Sequence, residues 1–117
     1  MIQFENKVIG DTKFVNLCPH EISVMTTESK IVEIPQSGLI ARVKEEIERE
    51  VKGLVQISRT VYRNIYGLPE KEKNVVYIVS SKVLNALNDT RSDVVGTGVP
   101  MKNGGKIACC LGFRRKF

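Results

Sequence analysis

The chain has 117 residues, of which 42% are apolar and 26% charged, enough for one packed core and too apolar for a disordered segment. Its 18 basic and 13 acidic side chains leave a formal charge of +5, which favours an anionic partner without choosing between nucleic acid, a phosphorylated small molecule and plain solubility. The longest apolar runs, Val75 to Val79 and Ile107 to Leu111, fall well short of the roughly 20 residues that span a bilayer, so a membrane partner is not expected.

From the N-terminus, Met1 to Phe14 interleaves Glu5, Lys7, Asp11 and Lys13 with apolar residues and lacks the basic start and apolar block of an export signal. Phe14 to Leu17, Ile22 to Met25, Lys30 to Ile34 and Leu39 to Lys44 are short, rich in branched or aromatic residues, and stopped by Cys18-Pro19, Glu28-Ser29 and Gln36-Ser37-Gly38; they read as a β-meander. Lys44 to Val51 stays open, because Val43, Ile47 and Val51 share a helical face at four-residue spacing and equally share parity on a strand. Val55, Ile57, Val61 and Ile65 make the following piece a strand, and Lys52-Gly53 between the two favours a long hairpin.

Val75-Val76-Tyr77-Ile78-Val79 has the continuous apolar character of a central strand. Ser80 or Ser81 can then cap a short helix near residues 81–88, whose buried face is Val83, Leu84 and Leu87. Asn88 to Pro100 is polar, glycine-bearing and long for a connector, hence a candidate binding loop. An Asn-Gly turn leads into a last strand, Lys106 to Phe113. The expected fold is therefore one α+β domain over residues 1–117, a mostly antiparallel sheet of meander and long hairpin with one short helix.

Catalytic chemistry finds little support. Cys18-Pro19-His20 brings a thiol near the single histidine, yet a zinc site needs about four ligands, and the other cysteines, Cys109 and Cys110, are neighbours that face opposite ways on a strand. A Cys18–His20 dyad inside one proline turn is equally strained, so Pro19 is expected to end a strand while Cys18 packs inside, leaving His20 as a ligand contact at most. The three cysteines suit a reducing cytoplasm. Gly96-Thr97-Gly98 lacks the third glycine of a dinucleotide fingerprint and the following lysine of a phosphate loop. Glu45, Glu46, Glu48 and Glu50 read as a solvated face.

The basic residues carry more. Arg59 and Arg63 fall on one side of a strand with Tyr62 and Tyr66 on the other, Arg91 opens the loop after the helix, and Arg114, Arg115 and Lys116 close the chain. Guanidinium groups bind phosphate oxygens bidentately and stack on flat rings, so arginines beside aromatics suit a nucleotide; a charged surface kept for solubility explains them as simply.

Taken in order, Val15-Asn16-Leu17-Cys18-Pro19-His20, Ile34-Pro35-Gln36-Ser37-Gly38 with Ala41-Arg42-Val43, Gly67-Leu68-Pro69, Val76-Tyr77-Ile78-Val79-Ser80, Arg91-Ser92-Asp93, and Gly105-Lys106-Ile107 through Gly112-Phe113 resemble a family of small phage and prophage proteins. Its nearest characterised group is the first type of Thoeris anti-defence sponge. The resemblance implies a non-enzyme without a cofactor that sequesters a cyclic ADP-ribose isomer or related cyclic nucleotide signal in the host cytoplasm, as a homo-oligomer with pockets between subunits. Cys18 departs from the pattern, where threonine is expected. On this reading His20, Arg59, Arg63 and Arg91 contact the anion, and Tyr62, Tyr66 or Phe113 stacks on the base. The alternative classes are a small basic nucleic-acid-binding protein and a phage structural or assembly component.

Overall fold

The computed structural model describes residues 7–88 and 90–117, the side chains of Asn103 and Ile107 lying outside that description together with Asp89 of the expected 88–100 binding loop. Nine strands and one helix are assigned among these residues: β1 (Lys7–Ile9), β2 (Thr12–Asn16), β3 (Ile22–Met25), β4 (Ile31–Ile34), β5 (Arg42–Lys52), β6 (Val55–Tyr66), β7 (Val75–Ile78), α1 (Ser81–Ala86), β8 (Val94–Asn103) and β9 (Lys106–Arg115). No helix among the described residues is long and apolar enough to cross a membrane.

Seven strands form one sheet in the order β1-β2-β7-β8-β9-β3-β4. The expected mostly antiparallel sheet is corrected here, because β2 with β7, β3 with β9 and β7 with β8 pair in parallel. Parallel neighbours need long connections, and the chain supplies them: β7 reaches β8 through α1, and the whole β5–β6 hairpin intervenes between β2 and β7. The sheet curls until its far side meets β2 again, where Ser37 N–H donates to the Asn16 carbonyl at 3.1 Å and Asn16 and Gln36 form an isolated parallel bridge. The result is a nearly closed barrel.

Strand alternation then divides the apolar residues into two cores. Cys18, Ile22, Val24, Ile34, Ile78, Val95 and Cys110 fill the interior with Phe14, Val76 and Phe113 against them. Val15, Leu17, Val75, Tyr77, Val79 and Val94 form the outer core with Val83, Leu84 and Leu87 of α1, flanked by Val43, Ile65 and Leu68 from the base of the hairpin. Both faces of β7 are covered, which is why Val75 to Val79 reads as an unbroken apolar run. The Ser80 hydroxyl accepts from the Val83 N–H and starts α1; at its other end Lys116 Nζ donates to the carbonyls of Asn85 at 2.6 Å and Leu87 at 2.7 Å.

The turn at Cys18-Pro19-His20 is held by Asn16, whose side chain is fully buried. Its Nδ2 donates to the carbonyls of His20 at 2.8 Å and Ile34 at 3.2 Å, and its Oδ1 accepts from the Cys18 N–H at 2.9 Å. Cys18 is buried, as expected from the sequence.

The open question at residues 44–51 resolves as strand. β5 and β6 pair from Arg42↔Tyr66 to Lys52↔Val55, closed by a two-residue loop with Gly53 at φ 54° and Leu54 at φ 70°. This ribbon projects from the barrel and stretches the radius of gyration to 16.8 Å, against about 13 Å for a compact domain of similar length. The long loop expected over residues 88–100 is also corrected. It ends at Asp93, because Val94 and Val95 are buried strand residues and Gly98 approaches the β9 backbone too closely for any side chain.

Candidate functional site

Near its end β6 carries one extra residue. Lys44 pairs with Arg63 and Val43 with Ile65, so Asn64, at φ 20°, forms a bulge that flips the alternation. Tyr62, opposite Glu45, therefore faces α1, where Lys82 Nζ meets the Glu45 carboxylate at 2.8 Å. Tyr66, opposite Arg42, falls on the same side as Arg63. The expectation that Tyr62 and Tyr66 share a face fails for this reason, since a single inserted residue exchanges the faces of everything after it.

Beyond the bulge the chain turns at Gly67 and runs through Leu68 and Pro69 beside the loop that follows α1. Arg91 ties the two segments together. Its Nη2 donates to the Pro69 carbonyl at 2.9 Å, while Nε and Nη2 reach Asp93 Oδ1 and Oδ2 at 2.8 and 2.9 Å. The Asp93 side chain is buried, and hydrogen bonds from Arg91 hold its carboxyl below the usual carboxylate range, outweighing the opposing effect of burial.

Between these segments lies a cleft of about 370 Å³, within the range typical of small-ligand sites. Tyr62, Arg63 and Asn64 form one wall, Asn88 and Arg91 the other, and Ile65, Leu68 and Leu87 supply apolar surface. Such a site offers a flat ring, amide donors and acceptors, and two guanidinium-bearing residues. Its charge is largely balanced: Arg63 reaches Glu46 at 3.2 Å and Glu48 at 3.4 Å, and Arg91 is engaged by Asp93.

Tyr62, Arg63 and Arg91 thus border one cleft, although the Arg63 guanidinium lies with Glu46 and Glu48 on the ribbon face opposite Tyr62, and the other expected contacts are not brought to it. Arg59 lies further out on the ribbon, bonded to Glu48 at 2.8 Å beside a second cleft of about 360 Å³ with Arg49, Glu50 and Ile57. Tyr66 is exposed on the opposite side from Tyr62. Phe113 points into the barrel, its ring centroid 5.6 Å from that of Phe14. His20 is exposed, with Nδ1 3.1 Å from the Glu21 carbonyl oxygen, and borders a separate groove of about 450 Å³ alongside Thr97, Pro100, Cys109 and Cys110. Comparison with protein-family models, curated proteins and solved structures gives no match.

Sequence reasoning missed Asn64 and Asn88 as cleft residues and Asp93 as the partner of Arg91. The signal for Asp93 was present, since Arg91-Ser92-Asp93 spaces opposite charges so that they meet across a tight loop. Glu46 and Glu48 are exposed, as expected of a solvated face, and in register they stand across the ribbon from Val61 and Arg59, within reach of Arg59 and Arg63.

Proposed function

We propose that the protein is a non-catalytic binder of a small phosphorylated nucleotide, a cyclic ADP-ribose isomer or related cyclic nucleotide being the ligand class, and that the cleft between β6, the end of α1 and the 87–93 loop receives it. The observation that carries this reading is the meeting of Tyr62, Arg63 and Arg91 in one cavity of suitable size, from segments far apart in the chain. Tyr62 stacks on the base, Asn64 and Asn88 hydrogen-bond to it, and Arg63 swings round the edge of β6, giving up part of its pairing with Glu46 and Glu48, to reach the phosphates. Arg91, tied to Asp93, positions the loop. Sequestration asks for nothing more, because the captured signal leaves unaltered.

A polyanionic partner fits less well. The ribbon places Glu45, Glu46, Glu48 and Glu50 among its basic residues, and these carboxylates would oppose a phosphate backbone.

The test is thermal unfolding and calorimetric titration with cyclic ADP-ribose isomers, followed by mass spectrometry of the ligand recovered after heating. A tight ligand at a thousandfold excess over its dissociation constant adds about 4 kcal/mol of stability, and it should return intact. Tyr62→Ala should remove the shift with no loss of fold. If no isomer raises the melting temperature, or if the recovered ligand has been cleaved, the reading is wrong.

A further inference from the structure

The β5–β6 ribbon is under-partnered for its length. Two-stranded hairpins are marginal in water unless a further strand or a packed face supports them, yet Ile47 is 55% exposed, Val51 70% and Leu54, at the tip, 99%. Among the described residues β5 has no neighbouring strand on its outer edge, so a row of its backbone donors and acceptors is left without a ladder partner. With Lys52 and Val55 flanking a two-residue loop, the alternation of an antiparallel ladder turns the backbone groups of Val43, Glu45, Ile47, Arg49 and Val51 outward.

Those five residues read nearly the same from either end. An antiparallel copy of β5, centred on Ile47, sets Ile47 against Ile47, Glu45 against Arg49 twice, and Val43 against Val51 twice. On the opposite face the same register sets Lys44 against Glu50 at both ends. Glu46 then faces Glu48, a like-charged pair that each ribbon already neutralises with its own Arg59 and Arg63. Glu45 keeps Lys82 on one side and gains Arg49 of the second copy on the other. The outer edge of β6 offers no such matching of opposite charges: about Thr60 its outward residues set Ser58 against Tyr62 and Gln56 against Asn64.

We infer that β5 is a self-association strand, and that two copies of this chain join their ribbons edge to edge across a two-fold axis at Ile47 into a four-stranded sheet. The interface is isologous and closed, so it ends at a dimer. It meets the ligand cleft, which lies within one protomer, only through Arg63.

Sedimentation of the full chain should give twice the 13.1 kDa protomer mass. Arg49→Glu and Glu45→Lys should each weaken association at least tenfold by opposing like charges, while an equimolar mixture of the two variants should dimerise again, because each then meets its opposite. Ile47→Cys should form an intersubunit disulfide on mild oxidation, since directly opposed residues on hydrogen-bonded sites lie about 5.5 Å apart between Cα atoms and Cys18, Cys109 and Cys110 are buried; Arg49→Cys should not. A wild-type chain that remains monomeric at every concentration, no recovery in the mixture, or equal cross-linking at 47 and 49 would each overturn the inference.

Discussion

Replacing Asn16 by alanine tests the barrel at its seam. The side chain is fully buried and makes three hydrogen bonds, to the carbonyls of His20 and Ile34 and from the Cys18 N–H. Alanine keeps the strand but removes all three bonds. His20 is exposed, so water can take over its carbonyl, and the Ile34 carbonyl keeps the ladder bond of its pairing with Ile22, whereas the Cys18 N–H is buried and left without a partner. Stripping that N–H costs about 2 kcal/mol and losing the second bond to Ile34 about 1 kcal/mol, a loss of about 3 kcal/mol and a large share of the 5–15 kcal/mol by which an ordinary domain is stable. Urea unfolding followed by circular dichroism should show the midpoint falling with the slope unchanged, and the melting temperature should drop by about 12 °C. A loss under about 1 kcal/mol would refute the reasoning, since it would mean that the seam is not held by this amide.

Asp93 should make stability depend on acid. Its folded-state carboxyl is held below the ordinary value by Arg91, so its contribution is complete above about pH 4 and is lost as pH falls further through the folded value; Asp93→Asn should flatten that limb of a stability–pH curve. Arg91→Ala leaves the buried carboxylate alone and should cost about 3 kcal/mol at pH 7, measured by urea unfolding. Burial pushes the Cys18 thiol up to about 11, so it stays protonated at pH 8 and should resist alkylation until denaturant opens the barrel, as read by mass spectrometry. Gly98→Ala drives a methyl group into the carbonyl oxygens of Leu111 and Gly112 and should cost about 2 kcal/mol or more, measured in the same unfolding assay.

The parts of the fold visible in the sequence were those with local signals. Parity fixed the strand identity of Val55 to Ile65, the run from Val75 to Val79 announced a strand covered on both faces, and Ser80 with Val83 and Leu84 announced the helix. Parallel pairing left no such mark, because β2 beside β7 has the same alternation it would have in a meander and only the length of the intervening chain distinguishes the two. The bulge at Asn64 was also silent, and with it the separation of Tyr62 from Tyr66. Phe113 looked like a stacking surface because its partner Phe14 is nearly a whole chain away. Tyr62, Arg63 and Arg91 could be picked out by type, but their charge balance depends on Glu46, Glu48 and Asp93, which only register and loop geometry bring near.

The parallel pairings also set an order of events as the chain is synthesised. β2 waits for β7, and β3 waits for β9, the last in order of the described strands. The first half of the polypeptide can form the β1–β2, β3–β4 and β5–β6 hairpins by itself, but the two parts of the barrel join only when β9 pairs with both β8 and β3, so the domain closes late and slowly for its size. Ribosome-stalled chains cut before residue 106 should therefore remain open to protease throughout β2 and β3, and gain resistance in one step once β9 is complete.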